Sequence, residues 1–322
     1  MKVDQTAYDQ GQVGEEGDYK KALHIPPGPS SPLKTEDSDQ SVPSLSTPPA
    51  QLPPLQKPAT SMSRILITGS TDGFGLVAAR QLVQKGHTVY LHARSAPRAA
   101  EAEKACPGAA GTLIADFSSL SETKKFAQEA NALGTFDVVI HNAGLFLGPI
   151  RRTEDTQVPT QVFVNVLAPY ILTCLMNKPK RLIYISSTLH KLADPNNLDD
   201  MFWTQRGEAQ WDAFKAYCDT KLQVNLVANV VAKKWKGVTS VATVHPGWVA
   251  TKLGGEQATD RLEDGVETYV KLAEGDYDQS LTAPYFEPKG KLGEQVAAAG
   301  DEGLQERAVK LLEEKTGLKI PA

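Results

Sequence analysis

The sequence predicts one α/β domain built on a parallel, doubly wound sheet and preceded by a disordered tail. Three observations point there. Short apolar, β-branched runs alternate with amphipathic stretches along most of the chain, a pattern that makes parallel strands joined by helices on both faces. A glycine-rich turn joins the first such run to the first amphipathic stretch. The 322 residues are 41% apolar with a net charge of -4, which suits a globular protein with one large core and extra segments.

The elements follow in order. Residues 64–68 form a short buried strand. After the turn Gly69-Ser70-Thr71-Asp72-Gly73-Phe74-Gly75, residues 76–85 carry a helical apolar stripe of Leu76, Val77, Ala79, Leu82 and Val83. A strand over 87–93, a helix near 99–104, a strand over 111–115 and a helix over 119–132 come next. Residues 136–141 read as a strand, and 157–176 as mainly helix, bent near Pro169. A strand over 180–186, an insertion, a helix over 210–234 and a strand over 238–244 complete the alternation. Pro284-Tyr285-Phe286 suits a last edge strand, and 302–315 a closing helix with Gly317 as its stop signal. Such a sheet binds ligands at the strand carboxyl ends, where the segments at Gly69, Asn142, Ser187 and Pro246 all emerge.

Strand, glycine turn and helix together form a pyrophosphate site: the glycines let the backbone approach, and the helix start offers free N–H groups and positive dipole. The spacing here is TGxxxGxG. An acid that binds ribose belongs about 20 residues further on. Position 93 is Ala and Arg94 follows it. An arginine there pairs with a 2′-phosphate, so NADP(H) is expected over NAD(H); Asp72, inside the turn, argues mildly the other way. Further along, Tyr217 and Lys221 stand four residues apart on one helix face. A neighbouring ammonium stabilises phenolate and makes tyrosine a usable acid at neutral pH.

Taken together, these motifs resemble the short-chain dehydrogenase/reductase family in its non-extended form, over about residues 63 to 255. The resemblance implies a Rossmann-like fold and the following roles. Thr68 to Gly75 resembles the cofactor turn, with Gly69, Ser70, Thr71, Gly73, Phe74 and Gly75 against the dinucleotide. Asp116, followed by Phe117, resembles the aspartate at the adenine. Asn142-Ala143-Gly144 resembles the segment beside the adenosine ribose. Asn165 resembles the asparagine that holds a proton-relay water, Ser187 the catalytic serine, and Tyr217 with Lys221 the catalytic pair, which also meets the nicotinamide ribose. Pro246-Gly247-Trp248-Val249-Ala250-Thr251 resembles the segment that closes over the nicotinamide. Asn165, Ser187, Tyr217 and Lys221 would then serve hydride transfer between the cofactor and a carbonyl or alcohol substrate.

Ser187 and Tyr217 are 30 residues apart, well beyond the family's common spacing. The insertion resembles that of retinol-dehydrogenase-like and protochlorophyllide-reductase-like members, and residues 188–212 are expected to form a substrate loop. Phe202, Trp203 and Trp211 suggest a bulky apolar substrate, or they pin the insertion to the domain. The expected function is an NADP(H)-dependent carbonyl reductase or alcohol dehydrogenase. Two other readings stay open at this point: a catalytically silent NADP(H)-binding regulator that uses its tail for interactions, and an epimerase or dehydratase. The short C-terminal segment 252–322 counts against the latter.

Composition narrows the rest. The charge gives no footprint for nucleic acid. Cys106, Cys174 and Cys218 show no CxxC spacing, so no metal is expected and a reducing, cytoplasmic setting is. The longest apolar stretch, residues 162–176, contains Asn165 and Pro169 and is too short to span a bilayer. Leu222, Leu226, Val227, Val230 and Val231 would supply a homodimer face or pack within one subunit. Residues 1–62 hold 10 of the 21 prolines, eight acids and no Arg. They read as a disordered tail before a domain over 63–322, without the marks of a transit or signal peptide. Met62, just before the first strand, is a candidate start.

Overall fold

A computed structural model describes residues 62–251 and 254–322. The tail expected over 1–62 lies outside the described residues, apart from Met62. Eight strands form one sheet in the order β3-β2-β1-β4-β5-β6-β7-β8. They are β1 (Arg64–Ile67), β2 (Thr88–Ala93), β3 (Gly111–Ile114), β4 (Val138–His141), β5 (Arg181–Ile185), β6 (Ser240–Val244), β7 (Tyr285–Glu287) and β8 (Lys291–Gly293). All neighbours pair in parallel except β7 and β8. The order reverses at β1 and β4, so the crevice beyond their carboxyl ends is the switch point at which doubly wound sheets take ligands.

Strand periodicity explains the two cores. Successive strand residues point to opposite faces. Ile65, Ile67, Val89, Leu91, Val138, Ile140 and Ile183 face one side, against α1 (Gly73–Gln84), α2 (Ala96–Ala105) and α7 (Leu262–Glu274). Leu66, Val139, Leu182, Tyr184 and Val241 face the other. There they meet α3 (Leu120–Ala132), α5 (Ala168–Leu175) and α6 (Ala213–Lys234). Both faces are apolar because both are covered, as the unbroken hydrophobic runs of the strands predict.

Several local outcomes differ from the sequence reading. The helix expected over 157–176 runs without a gap from Thr160 to Leu175, as α4 (Thr160–Val162), a π-helical turn Phe163–Leu167, and α5. Pro169 directly follows the π-helical turn, so the residue that lacks an N–H donor sits where the regular i→i−4 ladder is already interrupted. α6 starts at Ala213, since Asp212 accepts from the amides of Phe214 and Lys215, both at 3.0 Å, and caps the helix. Pro284 to Phe286 is not an edge, because β8 pairs antiparallel beyond it. Helix α7 was not anticipated at all.

Beyond the core elements, the insertion and the C-terminal helices α8 (Ala297–Gly300) and α9 (Glu302–Thr316) lie over α6. Leu222, Leu226, Val227 and Val231 are therefore buried within the subunit, beside Leu198, Val309 and Leu312. The aromatics of the insertion pin it down. Trp203 packs edge-on against Trp211 with 4.7 Å between centroids, and the Arg206 guanidinium lies 3.7 Å over the Trp203 ring. Trp211 Nε1 donates to Gly148 O at 3.0 Å, and Arg152 donates to Trp203 O at 2.8 Å. Asp200 accepts from Thr204, Gln205 and Arg206, which folds residues 200–206 into a closed turn. Trp203 and Trp211 are thus engaged in packing. Among the described residues, no helix is long and apolar enough to cross a membrane.

Candidate active site at the strand carboxyl ends

The glycine turn is held by its neighbours on β2 and β4. Gly69 has φ +62, and a Cβ there would lie 2.7 Å from Ala143 Cα, so only glycine lets the two turns meet. Thr68 Oγ1 accepts from the amides of Asn142 at 2.9 Å and Ala143 at 3.0 Å. Asn142 Nδ2 donates to the carbonyls of Thr68 and Gly69 at 2.8 and 2.9 Å, and its Oδ1 accepts from Tyr269 OH at 2.8 Å. Asn142 thus works as a brace between β1, β4 and α7. Ser70 Oγ donates to Ile67 O at 2.9 Å and accepts from His92 N at the same distance.

Helix α1 begins at Gly73. Asp72 makes no side-chain cap, and the first turn holds no acid. The opening amides and the dipole are therefore directed at whatever lies beyond the turn. Thr251 Cγ2 approaches to 3.7 Å of where a Gly73 Cβ would stand, so the segment after β6 lies over the turn. These features fit a dinucleotide pyrophosphate held by Gly69 to Gly75 and bounded by Thr251.

At the end of β2, His92 is a residue the sequence reading missed. Its Nδ1 accepts from Gly69 N at 2.8 Å and its Nε2 donates to Ala115 O at 2.9 Å, so the ring carries its proton on Nε2. Burial lowers its pKa to about 4, which keeps it neutral. Phe117 stacks on it at 4.0 Å and is itself buried, so Phe117 offers a ligand its backbone rather than its ring. Asp116 Oδ1 accepts from Ser118 N and Oγ at 2.8 and 2.7 Å. Arg94 follows β2 on the exposed surface. Arg98, also missed, donates to Thr71 Oγ1 at 2.9 Å and to Asp72 Oδ2 at 2.7 Å. Asp72 therefore has a guanidinium partner at the turn.

The second cluster lies on β5, the π-helical turn and α6. Lys221 Nζ donates to Ile185 O at 2.8 Å and sits 5.2 Å from the centroid of the Tyr217 ring. Burial lowers the Lys221 pKa to about 8, so the ammonium form still dominates at neutral pH. The Phe146 ring meets Tyr217 edge-on at 4.5 Å. Asn165 Oδ1 accepts from Leu145 N at 2.7 Å, and its Nδ2 donates to Leu145 O at 2.9 Å and Thr220 Oγ1 at 3.1 Å. A Gly144 Cβ would lie 3.4 Å from Asn165 Oδ1 and 3.8 Å from Lys221 Nζ. Gly144, Asn165 and Lys221 thus meet at one point.

The two serines of this loop differ. Ser186 Oγ donates to Lys221 O at 3.2 Å. Ser187 Oγ accepts from Leu189 N at 3.2 Å, which leaves its proton to donate elsewhere. Cys218, beside Tyr217, is buried and its thiol is pushed up to about 12 by that burial.

The segment Pro246 to Thr251 is tied from outside. Trp248 N donates to Asp260 Oδ2 at 2.7 Å, Asp260 N returns to Trp248 O at 2.9 Å, and Val249 bridges to Asp260. A Cβ at Gly247 would lie 3.1 Å from Asp260 Oδ2, and Val249 is buried. On α7, Gly265 allows the helix to touch Pro246 O and the Phe74 ring; a Cβ there would overlap both.

Comparison with known proteins adds the following. A family model described as short chain dehydrogenase matches residues 63–189. The chain is 63% identical over 261 residues to short-chain dehydrogenase chyC of Penicillium rubens, covering 81% of this chain and 100% of that one. It is 32% identical over 216 residues to retinol dehydrogenase 14 of Homo sapiens, covering 59% of this chain and 62% of that one. Its fold is similar to that of a metagenomic short-chain oxidoreductase solved with NADP. There the identity is 23% and the TM-score 0.53, over 72% of this chain and 99% of that chain.

Proposed function

Because the chain belongs to the short-chain dehydrogenase/reductase family, we propose that it moves a hydride between NADP(H) and a carbonyl or alcohol carbon, with Tyr217 as proton donor and acceptor. The observation that carries this is the buried Lys221 ammonium, 5.2 Å from the Tyr217 ring centroid. A cation so close, with little water to screen it, favours phenolate and makes the phenol a stronger acid. Bound NADPH would supply the hydride. Ser187 donates a hydrogen bond to the substrate oxygen and stabilises the charge that develops there. Tyr217 gives that oxygen its proton. Asn165 fixes the Gly144-Leu145 backbone. Its side chain is engaged in that bracing, and the residue lies in a π-helical turn, a feature common at functional sites.

Preference for NADP(H) is supported by Arg94 and Arg98 beyond β2 and by the lack of an acid there. A bulky apolar substrate is supported by the Phe146 ring against Tyr217 and by Leu147 and Leu192, which stand 49% and 50% exposed on the loops after β4 and β5.

The test is titration with NADPH and NADH, followed by NADPH consumption with a panel of bulky apolar aldehydes and ketones. Tyr217→Phe should lower kcat by about 10²–10⁴-fold and leave NADPH binding intact. Near-normal turnover by that variant would refute the assignment.

A further inference from the structure

His190 has no part in the chemistry above, yet it is wholly buried three residues after Ser187 and has both ring nitrogens engaged. Its Nδ1 lies 2.6 Å from Ser187 O, and its Nε2 lies 3.0 Å from Val296 N. A carbonyl can only accept and an amide can only donate, so the ring is the neutral tautomer with its proton on Nδ1. Burial lowers the His190 pKa, in keeping with that state. Ser187 O also accepts from His190 N at 3.1 Å, and Ser187 Oγ accepts from Leu189 N. The turn and the ring together leave the serine one backbone orientation.

The far end of the ring rests on a fixed support. Gln295, just before Val296, donates to Thr243 Oγ1 at 3.1 Å and Ala283 O at 3.0 Å and accepts from Asn229 Nδ2 at 2.8 Å. Residues 295 and 296 are thereby fastened to β6 and α6. The Tyr285 ring, 5.0 Å from the imidazole, covers its side.

We infer that His190 is a positioning residue for Ser187, a neutral strut that carries the fixed position of Gln295-Val296 to the loop bearing the serine hydroxyl. The inference rests on the proposed role of Ser187. It joins residues 106 apart in the chain, so the C-terminal segment takes part in setting the site that the first half of the fold builds.

Three variants separate the ends of the strut. His190→Asn keeps a donor at the Nδ1 position, and His190→Gln keeps an acceptor at the Nε2 position. Val296→Pro deletes the amide proton at a residue whose φ of -62 already suits proline. Loss of orientation at a reacting group costs up to about 100-fold, so His190→Gln should lower kcat about 10–100-fold at nearly constant KM and NADPH affinity. His190→Asn keeps the bond to Ser187 but, like Val296→Pro, cuts the link to Val296, so these two should show matching losses of about 3–10-fold, smaller than that of His190→Gln. Equal losses in His190→Asn and His190→Gln that follow thermal stability would overturn the inference.

Hydrogen exchange reads the strut without turnover. Amides of residues 188–192 should exchange about tenfold faster in His190→Gln and Val296→Pro. Unchanged exchange would sink the strut. Faster exchange in these variants, together with no turnover by the wild type on the carbonyl panel, would overturn the proposed function alone.

Discussion

Asp219 and Lys221 stand two residues apart on α6, both nearly shut off from water, and burial moves them in opposite directions. Each loses hydration of its charged form, so the ammonium of Lys221 becomes easier to deprotonate and the carboxyl of Asp219 harder. Asp219 accepts from Asn197 Nδ2 at 2.9 Å and Asp194 N at 3.3 Å, which anchors the start of the insertion. Burial outweighs these bonds and raises its pKa from 3.8 to about 6. A raised folded pKa favours the folded state fully below about pH 4, and that contribution is lost as pH rises through about 6. The loss amounts to roughly 2–3 kcal/mol. Asp219→Asn removes the titration, so its melting temperature relative to wild type should rise between pH 4 and pH 8. A pH-independent difference would show that Asp219 does not titrate in this range. At this scale the sequence was legible where spacing along one element makes the site, as with Tyr217 and Lys221. It was silent on His92, whose partners Gly69 and Ala115 each lie 23 residues away along the chain. A histidine in a strand carries no mark of such a pairing.

Among the elements, α7 shows what the sequence offered and what hid it. Leu262, Val266, Tyr269, Val270 and Ala273 recur at helical spacing, and Gly275 in the left-handed region ends the helix. Gly265 in its first turns weakens the local signal, since glycine disfavours a helix interior. Its presence has a packing reason: it lets α7 rest against Pro246 and Phe74, with Tyr269 stacked at 6.0 Å on Phe74. Gly265→Ala should therefore destabilise the protein by about 1–3 kcal/mol. It should also weaken NADPH binding, because the Pro246 segment must move; thermal melts and cofactor titration check both effects. The π-helical turn was illegible for a different reason. Residues 160–175 keep a continuous apolar pattern, and the extra residue in the turn changes hydrogen bonding without changing composition.

For the molecule as a whole, the doubly wound sheet was readable because strand alternation and connection rules leave few choices. The cover over α6 was not readable. Helix α9 was legible only as a closing helix, and its packing on Leu222 and Leu226 across some 90 residues of chain is a tertiary fact. Leu312 lies fully buried in that contact. Leu312→Ala should cost about 2–5 kcal/mol of stability, and a loss below about 0.5 kcal/mol in denaturant melts would show that the cover is not part of the core. The far end of the sheet has a consequence of its own. Strand β8 is three residues long, opens with Lys291 and runs against its neighbour. Too few unpaired backbone groups remain there to template another chain, and a charge guards them. This end of the sheet is thus closed to the strand-by-strand growth by which sheets polymerise into aggregates.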